Sequence, residues 1–272
     1  MSRHDLTDHE WNAIRRFLPA QNAKRRGRPW KSHRAVINGI LWILKTGCPW
    51  RDLLEEFGNW KTVFNRFRRW TAEGLWPRIL AALMRRLDAR ATVGRSLWCV
   101  DGTIIRAHRS AAGLRKQSPE NDAKTALGRS RGGYSTKLHV LTDDTGLILA
   151  TTATPGQSHE STEFENLMQH SELSIHCVAK RPVAVAGDKA YSSTAIRNWL
   201  DQRKVKAIIP TRSNEAANWS FSKPCYRKRN IVERVIGWLK ESRRIATRYD
   251  KTVESFLAFV QFATVRMMMK RI

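Results

Sequence analysis

The sequence predicts an all-helical N-terminal segment followed by a mixed α/β sheet domain. Three observations carry that prediction. From Leu6 to Ala89 apolar residues recur at helical spacing, with Gly and Pro closing each run. From Ser96 onward, apolar β-branched runs take over, three in succession and then in alternation with helical stretches. Single acids interrupt this second half: Asp101 inside an apolar run, Asp188 at the end of another, and Glu233 on a helix.

Composition bounds the partners. The chain has 272 residues, enough for one large domain or two ordinary ones, and 42% hydrophobic content supports a packed core. Lys and Arg number 49 against 24 Asp and Glu, a net charge of +25. Such an excess predicts an extended anionic partner: nucleic acid first, a membrane surface second. No apolar run reaches the length of about 18 residues that spans a bilayer. MSRHDLTDHE lacks the pattern of a signal peptide, so a cytoplasmic protein acting on nucleic acid is expected. Cys48, Cys99, Cys177 and Cys225 form no CxxC pair and read as reduced thiols.

The first helix opens at Leu6-Thr7 and ends by Pro19. Thr7 and Glu10 have capping-box spacing, and Leu6 with Trp11 has hydrophobic-staple spacing. The basic stretch 23–32 contains Arg26-Gly27-Arg28-Pro29, similar to the core of AT-hooks, whose arginines enter the minor groove. A basic linker touching phosphates non-specifically fits the same residues. Ser32 can cap a helix from His33 to Thr46 closed by Gly47, with Val36, Ile37, Ile40, Leu41 and Leu44 inward. Pro49 to Phe57 reads as a short helix, Gly58 as a turn, and Asn59 as the cap of a longer helix from Trp60. That order is the helix-turn-helix pattern. On the longer helix Val63, Phe64, Phe67 and Trp70 face inward, while Lys61, Asn65, Arg68 and Arg69 face outward, where Arg and Asn can read guanine and adenine. A helical bundle with a solvated charged face is the alternative. More helix follows to Ala89, and 91–96 reads as a boundary. The division expected is a helical DNA-binding domain over 1–93 and a catalytic domain over 94–272.

In the second half, Ser96 to His108 reads as a strand around Asp101. An acid there is costly unless it is paired or holds a metal, although Asp-Gly also starts turns. Residues 109–133 are basic and Ser/Gly-rich, hold few apolar residues and read as a loop. Strands follow at Tyr134–Thr142 and Leu147–Thr154, joined by a turn in which Asp143 and Asp144 are turn residues. A helix starts near Ser158, with His159 either on the surface or behind the site. The apolar strand Pro182–Gly187 ends on Asp188, the place where open α/β sheets put ligand groups. A helix from Thr194, a strand from Lys206 and a last helix over Val253–Met269 complete the order.

Tyr226 to Lys240, YRKRNIVERVIGWLK, reads as one helix. At about 100° per residue, Val232, Val235, Ile236 and Leu239 form a core stripe. Arg229, Glu233 and Lys240 form a second row, and a carboxylate flanked by cations stays ionised. Asn230 with Glu233 also has capping-box spacing. The spacing Tyr226, Arg229, Glu233, Lys240 resembles the Tyr-Arg-Glu-Lys signature of bacterial insertion-sequence DDE transposases, most closely the insertion-sequence-five group. LWILKTGCPWRDL, FNRFRRW, VDGT, GYSTKLHVLTD and AGDKAYSS extend the resemblance over nearly the whole chain.

The resemblance implies a ribonuclease-H-like catalytic fold with Asp101, Asp188 and Glu233 as the triad. It implies two Mg²⁺ ions, about 3.5–4 Å apart and replaceable by Mn²⁺, assisting in-line cleavage of DNA and then strand transfer by the freed 3′-hydroxyl. Tyr226, Arg229 and Lys240 would hold the transposon end. Double-stranded DNA is the expected partner, with a homodimer pairing two ends. A nuclease without strand transfer, or an inactive DNA-binding regulator derived from a transposase, are the other functions considered.

Overall fold

A computed structural model of the chain describes residues 4–20, 32–113, 125–130, 132–174, 181–213, 215 and 221–272. The stretch holding Arg26 and Arg28, and Cys177, lie outside the described residues.

The N-terminal helices follow their caps. Helix α1 (Asp8–Ile14) begins at Thr7, whose hydroxyl accepts from the Glu10 amide while the Glu10 carboxylate accepts from the Thr7 amide. It tightens into a 3-10 turn, Arg15–Phe17, before Pro19. Helix α2 (His33–Thr46) ends where Gly47 takes φ 69°, a left-handed conformation suited to glycine. Helix α3 (Trp60–Ala72) is capped by the Asn59 side chain, and α4 spans Leu75–Ala89.

The expected short helix over 49–57 is instead two 3-10 turns, Trp50–Asp52 and Glu55–Phe57. Leu53 and Phe57 are buried, and the intervening residues are too few to pay for a helical nucleus. The element before α3 is therefore a pair of tight turns pinned by two apolar side chains.

Strands β1 (Trp98–Ala107), β3 (Gly133–Thr142) and β4 (Ile148–Pro155) are antiparallel neighbours. On the other side of β1 lie β5 (Ala184–Ala186) and β6 (Lys206–Ile208), both parallel. The resulting order β4-β3-β1-β5-β6 is the ribonuclease-H-like sheet. Two short strands escape the sequence reading: β2 (Gly128–Ser130), which pairs with β3 inside the stretch read as loop, and β7 (Thr247–Arg248), parallel to β1. Helix α5 (Phe164–Ser174) follows β4, and α6 (Thr194–Gln202) joins β5 to β6.

The Tyr226–Lys240 stretch is two helices. Helix α7 (Lys223–Arg227) ends at Lys228, and α8 (Asn230–Lys240) restarts with Arg229 at its N-cap. The Lys228 and Arg229 amides bond three residues back, to Cys225 and Tyr226, and this tighter winding separates the segments. The Asn230–Glu233 capping box does not form; the N-cap has no side-chain hydrogen bond. Val232, Val235, Ile236 and Leu239 are buried as their spacing requires.

After a short helix α9 (Arg243–Ala246), the chain closes with α10 (Val253–Met269). Phe256, Phe259, Val260, Phe262, Val265, Met268 and Met269 are all buried, so α10 is apolar on most sides rather than on one stripe. It packs on α4, on α3 and on β4. Phe259 stacks on Phe67 at 4.5 Å between centroids, and Phe262 meets Trp76 at 4.6 Å. One hydrophobic core thus runs from the N-terminal helices into the sheet.

Candidate active site

Register brings the two aspartates together. Cys99 on β1 pairs with Ala186 on the parallel β5, and each chain then runs two residues further, to Asp101 and Asp188. Asp101 lies within β1 rather than at a turn; its Oδ1 accepts from the Gly102 amide at 2.9 Å. Asp188 caps a 3-10 turn, Lys189–Tyr191, accepting from the Ala190 amide at 2.9 Å.

A third carboxylate joins them, and it is Glu160. Asp101, Glu160 and Asp188 each offer an oxygen, all within 4.8 Å of one another. Glu160 opens a 3-10 turn, Glu160–Glu163, entered through His159, whose ring accepts from the Ser161 amide. Lys137 Nζ lies 3.3 Å from Glu160 Oε1 and donates to the Ser158 carbonyl at 2.9 Å. The sequence carries an acid here, just after the third long strand, but a first-turn acid of a helix has the same appearance. Only the fold shows that β4 delivers it to β1.

Glu233 is placed differently. It is half exposed and forms an ion pair with Arg229, whose Nη1 lies 3.1 Å from Asp101 Oδ2. Arg229 therefore links Glu233 to Asp101, and Glu233 itself is not among the three clustered acids. Lys240 Nζ donates to Thr103 Oγ1 at 2.6 Å, tying the end of α8 to β1. Tyr226 is partly buried against Phe221, and Arg229 lies over its ring at 5.6 Å.

The electrostatics follow from burial. Burial pushes the Asp101 carboxyl up to about 6; Arg229 and the Gly102 amide oppose it, while Asp188 and Glu160 add to it. Burial alone would lower the Arg229 guanidinium, but Asp101 and Glu233 outweigh it and hold it above its ordinary value. Burial lowers Lys240. Burial first, then the charges of Glu160, Asp101 and Asp188, push the Tyr191 phenol well up.

The residues present fit a hard divalent cation. Three carboxylates form an all-oxygen donor set, which suits Mg²⁺ or Mn²⁺ rather than a thiolate-seeking metal. The Tyr191 hydroxyl, buried beside them, has no hydrogen-bond partner among the described residues.

Away from this cluster, Lys61, Asn65, Arg68 and Arg69 lie on α3, and all four are exposed. Arg66, between them in sequence, is buried instead, with Nη1 2.6 Å from His33 Nδ1. No helix among the described residues is long and apolar enough to cross a membrane.

Two family models match the chain. One for transposases of the IS4/5 family covers residues 6–80, and the transposase DDE domain covers residues 93–268. A Burkholderia cepacia protein described as "Insertion element IS402 uncharacterized 16.2 kDa protein" is 37% identical over 112 residues, 39% of this chain and 76% of that one. A Brucella ovis protein described as "Putative transposase for insertion sequence element IS6501" is similar at 31% identity over 134 residues, 47% of this chain and 94% of its own. A solved pre-cleavage Mos1 transpososome aligns over 92% of this chain and 82% of its own, at 12% identity and a TM-score of 0.30. With a mixed sheet that gathers acids on β1 and after β5, and a domain match over most of its length, this chain belongs to the DDE transposase family.

Proposed function

We propose that the protein cuts DNA at the terminal inverted repeats of an insertion sequence and joins the freed 3′ ends to target DNA. Asp101, Asp188 and Glu233 are its catalytic acids and divalent-ion ligands. The observation that supports this reading best is the meeting of Asp101 and Asp188 from adjacent parallel strands, with their oxygens within ligand-sharing distance. Mg²⁺ is the proposed resident ion and Mn²⁺ its substitute; a bound pair would stabilise charge on the attacking and leaving oxygens of an in-line displacement.

The side chains divide the remaining work. Asp101, on the central strand, contacts both the acid cluster and Arg229. The Arg229 guanidinium stands between Asp101 and Glu233, the position of a cation shared by two carboxylates. A DNA phosphate drawing Arg229 away releases both acids together. Lys240 and Tyr226 flank the same helix pair and hold the transposon end. Lys61, Asn65, Arg68 and Arg69 read its bases or phosphates from α3, and Arg26 and Arg28 add contacts from the linker. The protein works in the cytoplasm as a homodimer on two paired ends.

The test uses the full chain and labelled DNA bearing the repeats that flank its gene, with Mg²⁺ or Mn²⁺. Asp101→Asn, Asp188→Asn and Glu233→Gln are each expected to abolish cleavage while leaving a gel shift intact. Full activity in any one variant removes that residue from the catalytic set. Cleavage without joined products would leave a nuclease, and a shift without cleavage by the unmodified chain would leave a regulator. Point substitutions are preferred to deleting residues 1–93, because those helices share their core with α10.

A further inference from the structure

We propose that Glu160 is a direct ligand of the divalent ion in the DNA-free protein, completing with Asp101 and Asp188 a three-carboxylate site while Arg229 holds Glu233 apart. The inference rests on the metal-dependent reading above and adds to it a residue outside the Tyr-Arg-Glu-Lys signature.

Distance is the first argument. Glu160 reaches within 4.8 Å of both aspartates, while Glu233 is engaged by Arg229. Charge is the second. Three acids converge on a largely buried place; the cations beside them are Lys137, which also serves the Ser158 carbonyl, and Arg229, which is shared with Glu233. Carboxylates crowded in this way repel one another unless a cation joins them.

Two further features point to a ligand. A Cβ on Gly102 would come within 2.9 Å of Glu160 Cδ and 3.0 Å of its Oε1, so the glycine after Asp101 leaves the space that the glutamate head occupies. The Tyr191 side chain is 1% exposed, and its hydroxyl, within the field of all three acids, finds no partner among the described residues. A buried hydroxyl left this way costs stability, and an ion with its own oxygen ligands would give it a partner. Glu160 can therefore do what a plain ion-pair partner of Lys137 does not: fix the ion against the strand that carries Asp101.

The experiment is a Mn²⁺ titration of the full chain without DNA, followed by calorimetry and by the electron paramagnetic resonance signal of free Mn²⁺. Glu160→Gln is expected to weaken Mn²⁺ binding at least about tenfold, as Asp101→Asn and Asp188→Asn do, with Glu160→Asp falling between. Wild-type affinity in Glu160→Gln alongside weakened Asp101→Asn overturns the proposal and leaves the metal-dependent reading standing. Wild-type affinity in all three variants overturns both. Should Glu160→Gln fail to fold, Gly102→Ala decides, since it displaces a chemically intact Glu160. Weakened Mn²⁺ binding there supports the assignment, and unchanged binding ends it.

Discussion

Arg229 Nη1 lies 3.1 Å from Asp101 Oδ2, and the same guanidinium holds Glu233, so one cation spans two of the acids proposed for catalysis. An arginine so placed competes with a divalent ion for Asp101. Arg229→Gln is therefore predicted to tighten Mn²⁺ binding by the DNA-free protein by roughly tenfold, the scale set by one nearby opposite charge. The same substitution should weaken binding to terminal-repeat DNA. Calorimetry and a gel shift check the two halves, and looser Mn²⁺ binding would contradict the competition.

The outer face of α3 makes a second prediction. Arg68 and Arg69 are exposed, one turn beyond Asn65 and two beyond Lys61. Replacing both with Ala should weaken DNA binding and lower the slope of log affinity against log salt by about one for each phosphate that the variant no longer neutralises. A slope equal to wild type, measured by anisotropy across a salt series, would place the DNA elsewhere.

His139 sets a pH dependence. It is fully buried on β3 and its Nε2 lies 2.8 Å from Thr154 Oγ1. Burial, with Lys137 nearby, holds its imidazole down to about 4. An unfolded chain binds that proton near pH 6.5, so between about pH 4 and 6.5 the unfolded state carries a proton that the native state refuses. The stability involved is fully present above about pH 6.5 and is lost as the pH falls towards 4, by about 3 kcal/mol. Urea midpoints between pH 7.5 and 4.5 should show this fall, and His139→Gln should flatten it.

Asp250 anchors the turn after β7. It accepts from Arg244 Nη2 at 2.8 Å and Nε at 3.2 Å, with both residues buried. Its carbonyl accepts from Arg248 Nε at 2.9 Å. Asp250→Ala leaves a buried guanidinium without its acid and is expected to cost about 3–5 kcal/mol. Chemical denaturation measures it, and a loss below about 1 kcal/mol, the scale of an exposed pair, would show that water reaches Arg244.

Local chemistry is legible in the sequence where it acts locally. Thr7 and Asn59 sit at the helix starts their side chains cap, Gly47 at the end its backbone freedom allows, and the long strands lie where the apolar runs are. Asp101 is legible because an acid in an apolar strand is expensive, and Asp188 because it ends one. Glu160 is not, since its meaning depends on a strand pairing that brings residue 160 beside residue 102. Arg66, Arg244 and Arg248 hide for a related reason. Arginine reads as a surface residue, yet each is buried by bonds that only the folded chain supplies: His33 for the first, Asp250 for the other two. The break at Lys228–Arg229 is invisible because both sides of it have helical spacing.

Stacked rings of Phe67 and Phe259 join α3 to the chain's last helix, which also lies on β4. The surface that would grip a repeat and the acids that would cut it are thereby seated on one shared hydrophobic core. Such a tool measures. A repeat displaced by a single base pair would carry its scissile phosphate about 3.4 Å along the helix axis, away from the carboxylates. The aromatic joint would make the interval between recognised bases and cut bond a fixed length.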